Sequence, residues 1–135
     1  MYQAIPVDGF RLAYERNGRG PAVVLLHGWP GDRTDYREVV PLVSPAADVV
    51  VPDLRGFGQS DKHRADPAGQ YSADAQARSV IGLIDELGLD RPVIGGRATL
   101  RAVNYGAFAF FRREISEDGG LGVVLPGAYR LQVAP

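Results

Sequence analysis

Ala22-Val23-Val24-Leu25-Leu26-His27-Gly28-Trp29-Pro30 is the stretch that decides how the chain folds. Five apolar residues in a row show no alternation of inward and outward faces. They read as a strand buried on both sides, the arrangement of a parallel sheet covered by helices. The strand stops abruptly at His27-Gly28-Trp29-Pro30, where glycine permits a tight turn and proline fixes the following backbone. Ligands of parallel sheets bind beyond the carboxyl ends of the strands, so this turn is the first place to look for chemistry.

Upstream, Arg11 to Arg16 alternates polar with apolar after a turn signal at Asp8-Gly9, which predicts strand, turn, strand over residues 2 to 16. Asn17 to Pro21 is a second turn cluster. Downstream, Tyr36, Val39, Val40 and Val43 lie at helical spacing, with Asp32 or Thr34 able to cap a helix from Thr34 to Val43. Asp48 to Pro52 is a second buried strand, and Asp53 to Gln70 is a long irregular loop of the kind that commonly carries function. Ser72 caps a helix bearing Ala77, Val80, Ile81, Ile84 and Leu87, which Gly88 ends, and Pro92 to Gly96 is a third buried strand. The fold class is therefore α/β: an N-terminal hairpin, then parallel strands with flanking helices joined by right-handed crossovers. Farther on, Leu100, Val103, Ala107, Phe111 and Ile115 share a helical face, and Leu121 to Leu125 reads as one more strand.

Composition narrows the function. The chain has 135 residues, 45% of them hydrophobic, which suits one compact domain. Its 15 basic and 16 acidic side chains nearly cancel, without long runs of one sign, so the expected partner is a small molecule and not a nucleic acid. The absence of cysteine excludes disulfides, thiolate zinc sites and a cysteine nucleophile, and fits a reducing, cytoplasmic setting. The N-terminus lacks the pattern of a signal peptide, and no stretch approaches the roughly 18 apolar residues of a membrane span. No motif for phosphate or metal is present, so neither a metal nor an organic cofactor is expected. A dinucleotide site is disfavoured because Gly95-Gly96 lacks the later glycine of Gly-x-Gly-x-x-Gly, and Gly56-Phe57-Gly58 opens a loop instead of a helix.

Leu26-His27-Gly28-Trp29-Pro30-Gly31, followed by Pro52-Asp53-Leu54-Arg55-Gly56-Phe57-Gly58-Gln59-Ser60-Asp61, resembles the α/β-hydrolase superfamily, and within it the epoxide hydrolases and the haloalkane and haloacetate dehalogenases. The resemblance covers residues 2 to 96 and implies a partial α/β-hydrolase core. It implies a reaction without cofactor, in which a nucleophile forms a covalent ester and a histidine-activated water resolves it. It also makes His27, Gly28, Trp29 and Pro30 an oxyanion-side loop, the Trp29 N–H helping to hold developing charge. His27 then supports the loop and does not shuttle protons, while Asp53 and Arg55 pair with one another or brace the second loop. Ser60 has the wrong junction and no closing glycine for a nucleophile elbow.

The third junction departs from the family pattern. Aligning Gly96 with the first glycine of Gly-x-nucleophile-x-Gly puts Ala98 at the nucleophile and Leu100 at the closing glycine; shifting back by one puts Arg97 there. Neither Ala98 nor Arg97 can attack carbon. The family's catalytic histidine follows the elbow, whereas His27 and His63 both precede it. Residues 1–96 thus read as the N-terminal part of the hydrolase domain and 97–135 as an atypical tail. An internal deletion would explain the tail, since Ala98 to Phe108 resembles a helix of the family's lid region. A shifted frame would too, since codons for Arg-Ala-Thr-Leu read one nucleotide over can encode Arg-Asp-Ile. The expectation is a hydrolase-family protein, inactive alone, whose intact relatives hydrolyse epoxides, carbon–halogen bonds or esters. The alternative is a non-catalytic module whose pocket beside Trp29 and Phe57 binds a small apolar ligand or a partner chain, with self-association through an exposed sheet edge.

Overall fold

In the computed structural model, the described residues are 1–96, together with the backbone of Val123–Val124 and Arg130–Leu131. Asp8 and Gly9 both take positive φ, +50° and +81°, and reverse the chain between Val7 and Phe10, whose backbones exchange two hydrogen bonds of 2.9 Å. Two central residues of positive φ define the hairpin turn whose twist matches the flanking strands, for which Asp-Gly is a preferred pair. The turn brings β1 (Tyr2–Gln3) antiparallel to β2 (Ala13–Asn17), with Tyr2 opposite Tyr14.

The apolar runs become β3 (Ala22–Leu26), β4 (Asp48–Pro52) and β5 (Val93–Gly96). Strand β3 lies between the other two and parallel to both, with Val24 beside Val50 on one side and Ile94 on the other. Strand β2 pairs antiparallel with β4, and two-residue strands β6 (Val123–Val124) and β7 (Arg130–Leu131) continue the sheet beyond β5. The order is β1-β2-β4-β3-β5-β6-β7, a hairpin joined to a parallel centre.

Among the described residues, three helices and a 3-10 turn, Arg33–Tyr36, flank the sheet: α1 (Val40–Val43), α2 (Pro67–Gln70) and α3 (Ala73–Glu86). Ser72 Oγ accepts the Ala75 N–H at 3.2 Å to start α3, and Gly88 at φ +60° follows its end. Its apolar stripe, Ala77, Val80, Leu83 and Ile84, packs on Leu12, Tyr14, Val24, Leu26, Val50 and Ile94 and forms the main core. On the opposite face Tyr36, Ala47, Val49 and Val51 make a smaller cluster.

Three expectations change. The helix foreseen over Thr34 to Val43 is split into the 3-10 turn and α1, because Pro41 has no N–H to continue an α-helical ladder. Strand β3 is fully buried on the α3 side only; Val23 and Leu25, facing the short α1 segment, are half-buried. The loop from Asp53 to Gln70 closes with α2, where the Asp66 carboxylate accepts the Gly69 N–H and Pro67 opens the helix. The helix foreseen around Leu100 to Ile115 lies outside the described residues.

Truncating Leu83, 1% exposed at the centre of the core, removes methyl groups that its packed neighbours cannot fully replace. Leu83→Ala is expected to lower the unfolding free energy by about 2–5 kcal/mol in urea denaturation. Leu42→Ala, at a residue 81% exposed, should change it by less than about 0.5 kcal/mol.

Candidate functional site

Because β3 and β4 run parallel and adjacent, His27–Pro30 and Asp53–Gly58 emerge side by side at their carboxyl ends. The buried His27 ring joins them. Its Nε2 accepts the Leu54 backbone N–H at 3.0 Å, so Nδ1 carries the ring proton and donates it to the Gly28 carbonyl at 2.8 Å. Phe57 packs edge-on against the ring at 5.2 Å. With both nitrogens engaged, His27 holds two loops together and keeps no lone pair for a substrate. Tyr36 Oη, donating to the Leu26 carbonyl at 2.7 Å, braces the same strand end.

Asp53 and Arg55 do not pair with one another; each has a different ionic partner. The buried Asp53 carboxylate accepts the Arg33 N–H at 2.7 Å, Arg33 Nη1 at 2.5 Å and the Gln59 N–H at 2.8 Å. Arg33 Nε reaches Glu15 at 2.9 Å, which ties the 3-10 turn to β2 as well. Space at this point is exhausted: a Cβ on Gly58, at φ +48°, would stand 2.1 Å from Asp53 Oδ2. Ser60 Oγ accepts the Ala13 N–H at 2.8 Å and donates to the Asp53 carbonyl at 2.6 Å, so its hydroxyl is structural.

Arg55 is wholly buried, yet every part of its guanidinium is occupied. Nε donates to Ser79 Oγ at 2.7 Å, Nη1 to the Gln70 carbonyl at 3.2 Å, and Nη2 to the Val7 carbonyl at 3.2 Å and Asp8 Oδ2 at 3.0 Å. Its plane lies over the Phe10 ring at 4.7 Å. The Arg55 backbone exchanges two hydrogen bonds with the Gln76 side-chain amide, 2.8 and 3.0 Å long. The hydrogen bonds from Arg55, and next from Arg78, hold the Asp8 carboxyl below its ordinary value of 3.8. Hydrogen bonds from the Thr34 hydroxyl and N–H do the same for Asp32.

Arg33, Gln76 and Ser79 escaped the sequence reading. Gln76 and Ser79 interrupt the apolar side of α3 one turn apart, and two polar residues at such positions need buried partners, which was the available signal. Arg33 carried none, since its two carboxylate partners are 18 and 20 residues away.

Above these braces lies a cleft of about 880 Å³, whose lining includes His27, Gly28, Trp29, Leu54, Phe57, Tyr71 and the basic run Lys62-His63-Arg64. Trp29 stands 57% exposed, its peptide bond to Pro30 is cis, and no acceptor among the described residues takes its N–H. Ala98, at the expected nucleophile position, lies outside the described residues. Among the described residues no group of three or more histidine and acidic side chains is placed to hold a metal, and no helix is long and apolar enough to cross a membrane.

The family described as the alpha/beta hydrolase fold matches residues 21–96. Over 121 residues the chain is 32% identical to the soluble epoxide hydrolase of Corynebacterium sp. (strain C12), covering 90% of this chain and 41% of that protein. Over 59 residues it is 48% identical to a haloalkane dehalogenase of Bradyrhizobium diazoefficiens, covering 42% of this chain and 19% of that protein. Among solved structures, haloalkane dehalogenase DbeA from Bradyrhizobium elkani USDA94 superposes with a TM-score of 0.70 at 31% identity, covering 84% of this chain and 37% of that one. A thermophilic esterase from Thermogutta terrifontis gives 0.68 at 34%, covering 83% and 40%. The chain thus spans about two-fifths of the epoxide hydrolase it matches.

Asp53→Asn removes the charge that compensates Arg33 in a site almost closed to water, although Glu15 remains. The expected loss is about 3 kcal/mol in chemical denaturation, against less than about 0.5 kcal/mol for Arg37→Ala on the surface. The Asp8 contacts predict a pH dependence. A carboxyl held below its unfolded value stabilises the fold above that value and loses this contribution as pH falls through the folded one. Wild type should therefore be more stable than Asp8→Asn at pH 6, and the gap should close below pH 3.8 in paired denaturation curves.

Proposed function

The chain belongs to the α/β-hydrolase fold family, and from that premise we propose that residues 1–96 form the oxyanion-side part of a hydrolase site while the 135-residue chain alone turns over no substrate. The reaction class is that of the relatives: opening of an epoxide, displacement at a carbon–halogen bond, or ester hydrolysis through a covalent intermediate. In it the Trp29 N–H, which has no acceptor among the described residues, would hold the charge that develops on oxygen or a related leaving group. The observation that carries inactivity is the commitment of the reactive groups at the strand ends. Both nitrogens of His27, the Ser60 hydroxyl and the Asp53 carboxylate are all held in structural bonds, and the sequence puts Ala98 where the nucleophile belongs.

A second reading is favoured by the cleft itself. About 880 Å³ walled by Trp29 and Phe57 is the size and character of a small-molecule site, so the fold can bind a ligand without transforming it. Self-association belongs to this reading, since Met1, Tyr2 and Ile5 stand exposed beside the edge strand β1. So does a reducing, cytoplasmic setting, supported by the absence of cysteine. The departure at Arg97-Ala98-Thr99 reads as an internal deletion or a shifted frame, which the coding DNA around codon 96 distinguishes.

Assays of the purified chain against an epoxide, a haloacetate and a nitrophenyl ester should give no product above a heat-denatured control. Product in a burst or at steady state overturns the inactive reading. Light scattering of the eluted protein should show a mass above that of one chain.

A further inference from the structure

We propose that the cleft takes an amphiphile with an anionic head, a carboxylate set against Lys62 and Arg64 at the rim while its apolar body lies on Trp29, Leu54 and Phe57. This rests on the second reading above, that the cleft binds a small ligand, and it replaces the neutral apolar ligand expected from the sequence with a charged one. Among the described lining residues there is no aspartate or glutamate, although the chain as a whole carries a net charge of −1. Of the nearby carboxylates, which lie outside that lining, Asp61 accepts the Arg11 N–H at 2.9 Å and stands 3.6 Å from His63 Nε2, and Asp66 caps α2 through the Gly69 N–H.

Among the described residues neither cation forms an ion pair. Lys62 Nζ donates to the Gly58 carbonyl and lies 3.4 Å from that of Ser60, so it is held at the rim by neutral oxygens. Arg64 forms no ion pair among the described residues. The loop bearing them is anchored on both sides. His63 Nε2 is 2.9 Å from the Gly9 carbonyl, to which it donates, and the Tyr71 hydroxyl donates to the His63 carbonyl. Two positive charges that form no ion pair among the described residues, beside low-dielectric apolar walls, raise the local concentration of anions, and the walls supply the burial that a free inorganic anion cannot use.

Trp29 is the sole tryptophan and stands on the cleft wall, so its emission reports binding directly. The probes are octanoate and 1-octanol, alike in tail and different in head charge. Octanoate should bind saturably and roughly three- to tenfold more tightly than octanol at low ionic strength, the preference shrinking with added salt. The double variant Lys62→Gln/Arg64→Gln should bring octanoate down to the affinity of octanol and leave octanol unchanged, which also shows the cleft intact. Octanol bound as well as octanoate by the wild type, or an octanoate preference that survives in the double variant, overturns the anionic proposal and leaves ligand binding standing. No saturable change with either probe overturns both.

Discussion

A single hydrogen bond, from the Leu54 backbone N–H to His27 Nε2, sets the geometry at the carboxyl edge of the sheet. It fixes the tautomer, and the tautomer directs the Nδ1 proton to the Gly28 carbonyl, so one buried ring determines how both strand ends turn. Trp29 and Pro30 follow from one end and Arg55 to Gly58 from the other; the cleft lies between them. A histidine in this position is a brace because a donor it cannot refuse already occupies the nitrogen that a proton shuttle would need.

The loop after β4 would be costly to order without side-chain anchors, since irregular backbone has no ladder of its own. Two buried ionic groups supply them. Asp53 draws in Arg33 and the Gln59 N–H, and Arg55 reaches the hairpin turn, α2 and α3 through separate nitrogens. Each charge is compensated inside the fold, and Gly58 is required where the Asp53 carboxylate leaves no room for a Cβ. The acid–base groups of this edge therefore serve architecture.

Family membership and the state of the site point in different directions. The α/β-hydrolase core is shared with enzymes, and beside the cleft the Trp29 N–H has no acceptor among the described residues. In the proposed reading, an oxyanion-side loop stabilises a developing charge only when a nucleophile generates it alongside, and alanine, which the sequence carries at position 98, has no atom able to do so. What the described residues present is an apolar cleft with Lys62 and Arg64 among its lining.

The sequence by itself determined the elements whose signals are local. The apolar runs gave β3, β4 and β5 almost to the residue, Ser72 and Gly88 bounded α3, Asp8-Gly9 reversed the hairpin, and the two motifs placed the chain in its superfamily. Periodicity records which face is buried, and that information survives in one dimension. The tertiary structure alone decided who meets whom. Arg33, not Arg55, became the partner of Asp53, Asp8 became that of Arg55, Val23 and Leu25 kept a half-open face, and the basic run at Lys62 came to rim an apolar cleft. These pairings join residues about twenty to fifty positions apart that the crossovers bring together, and no spacing within the chain encodes that distance.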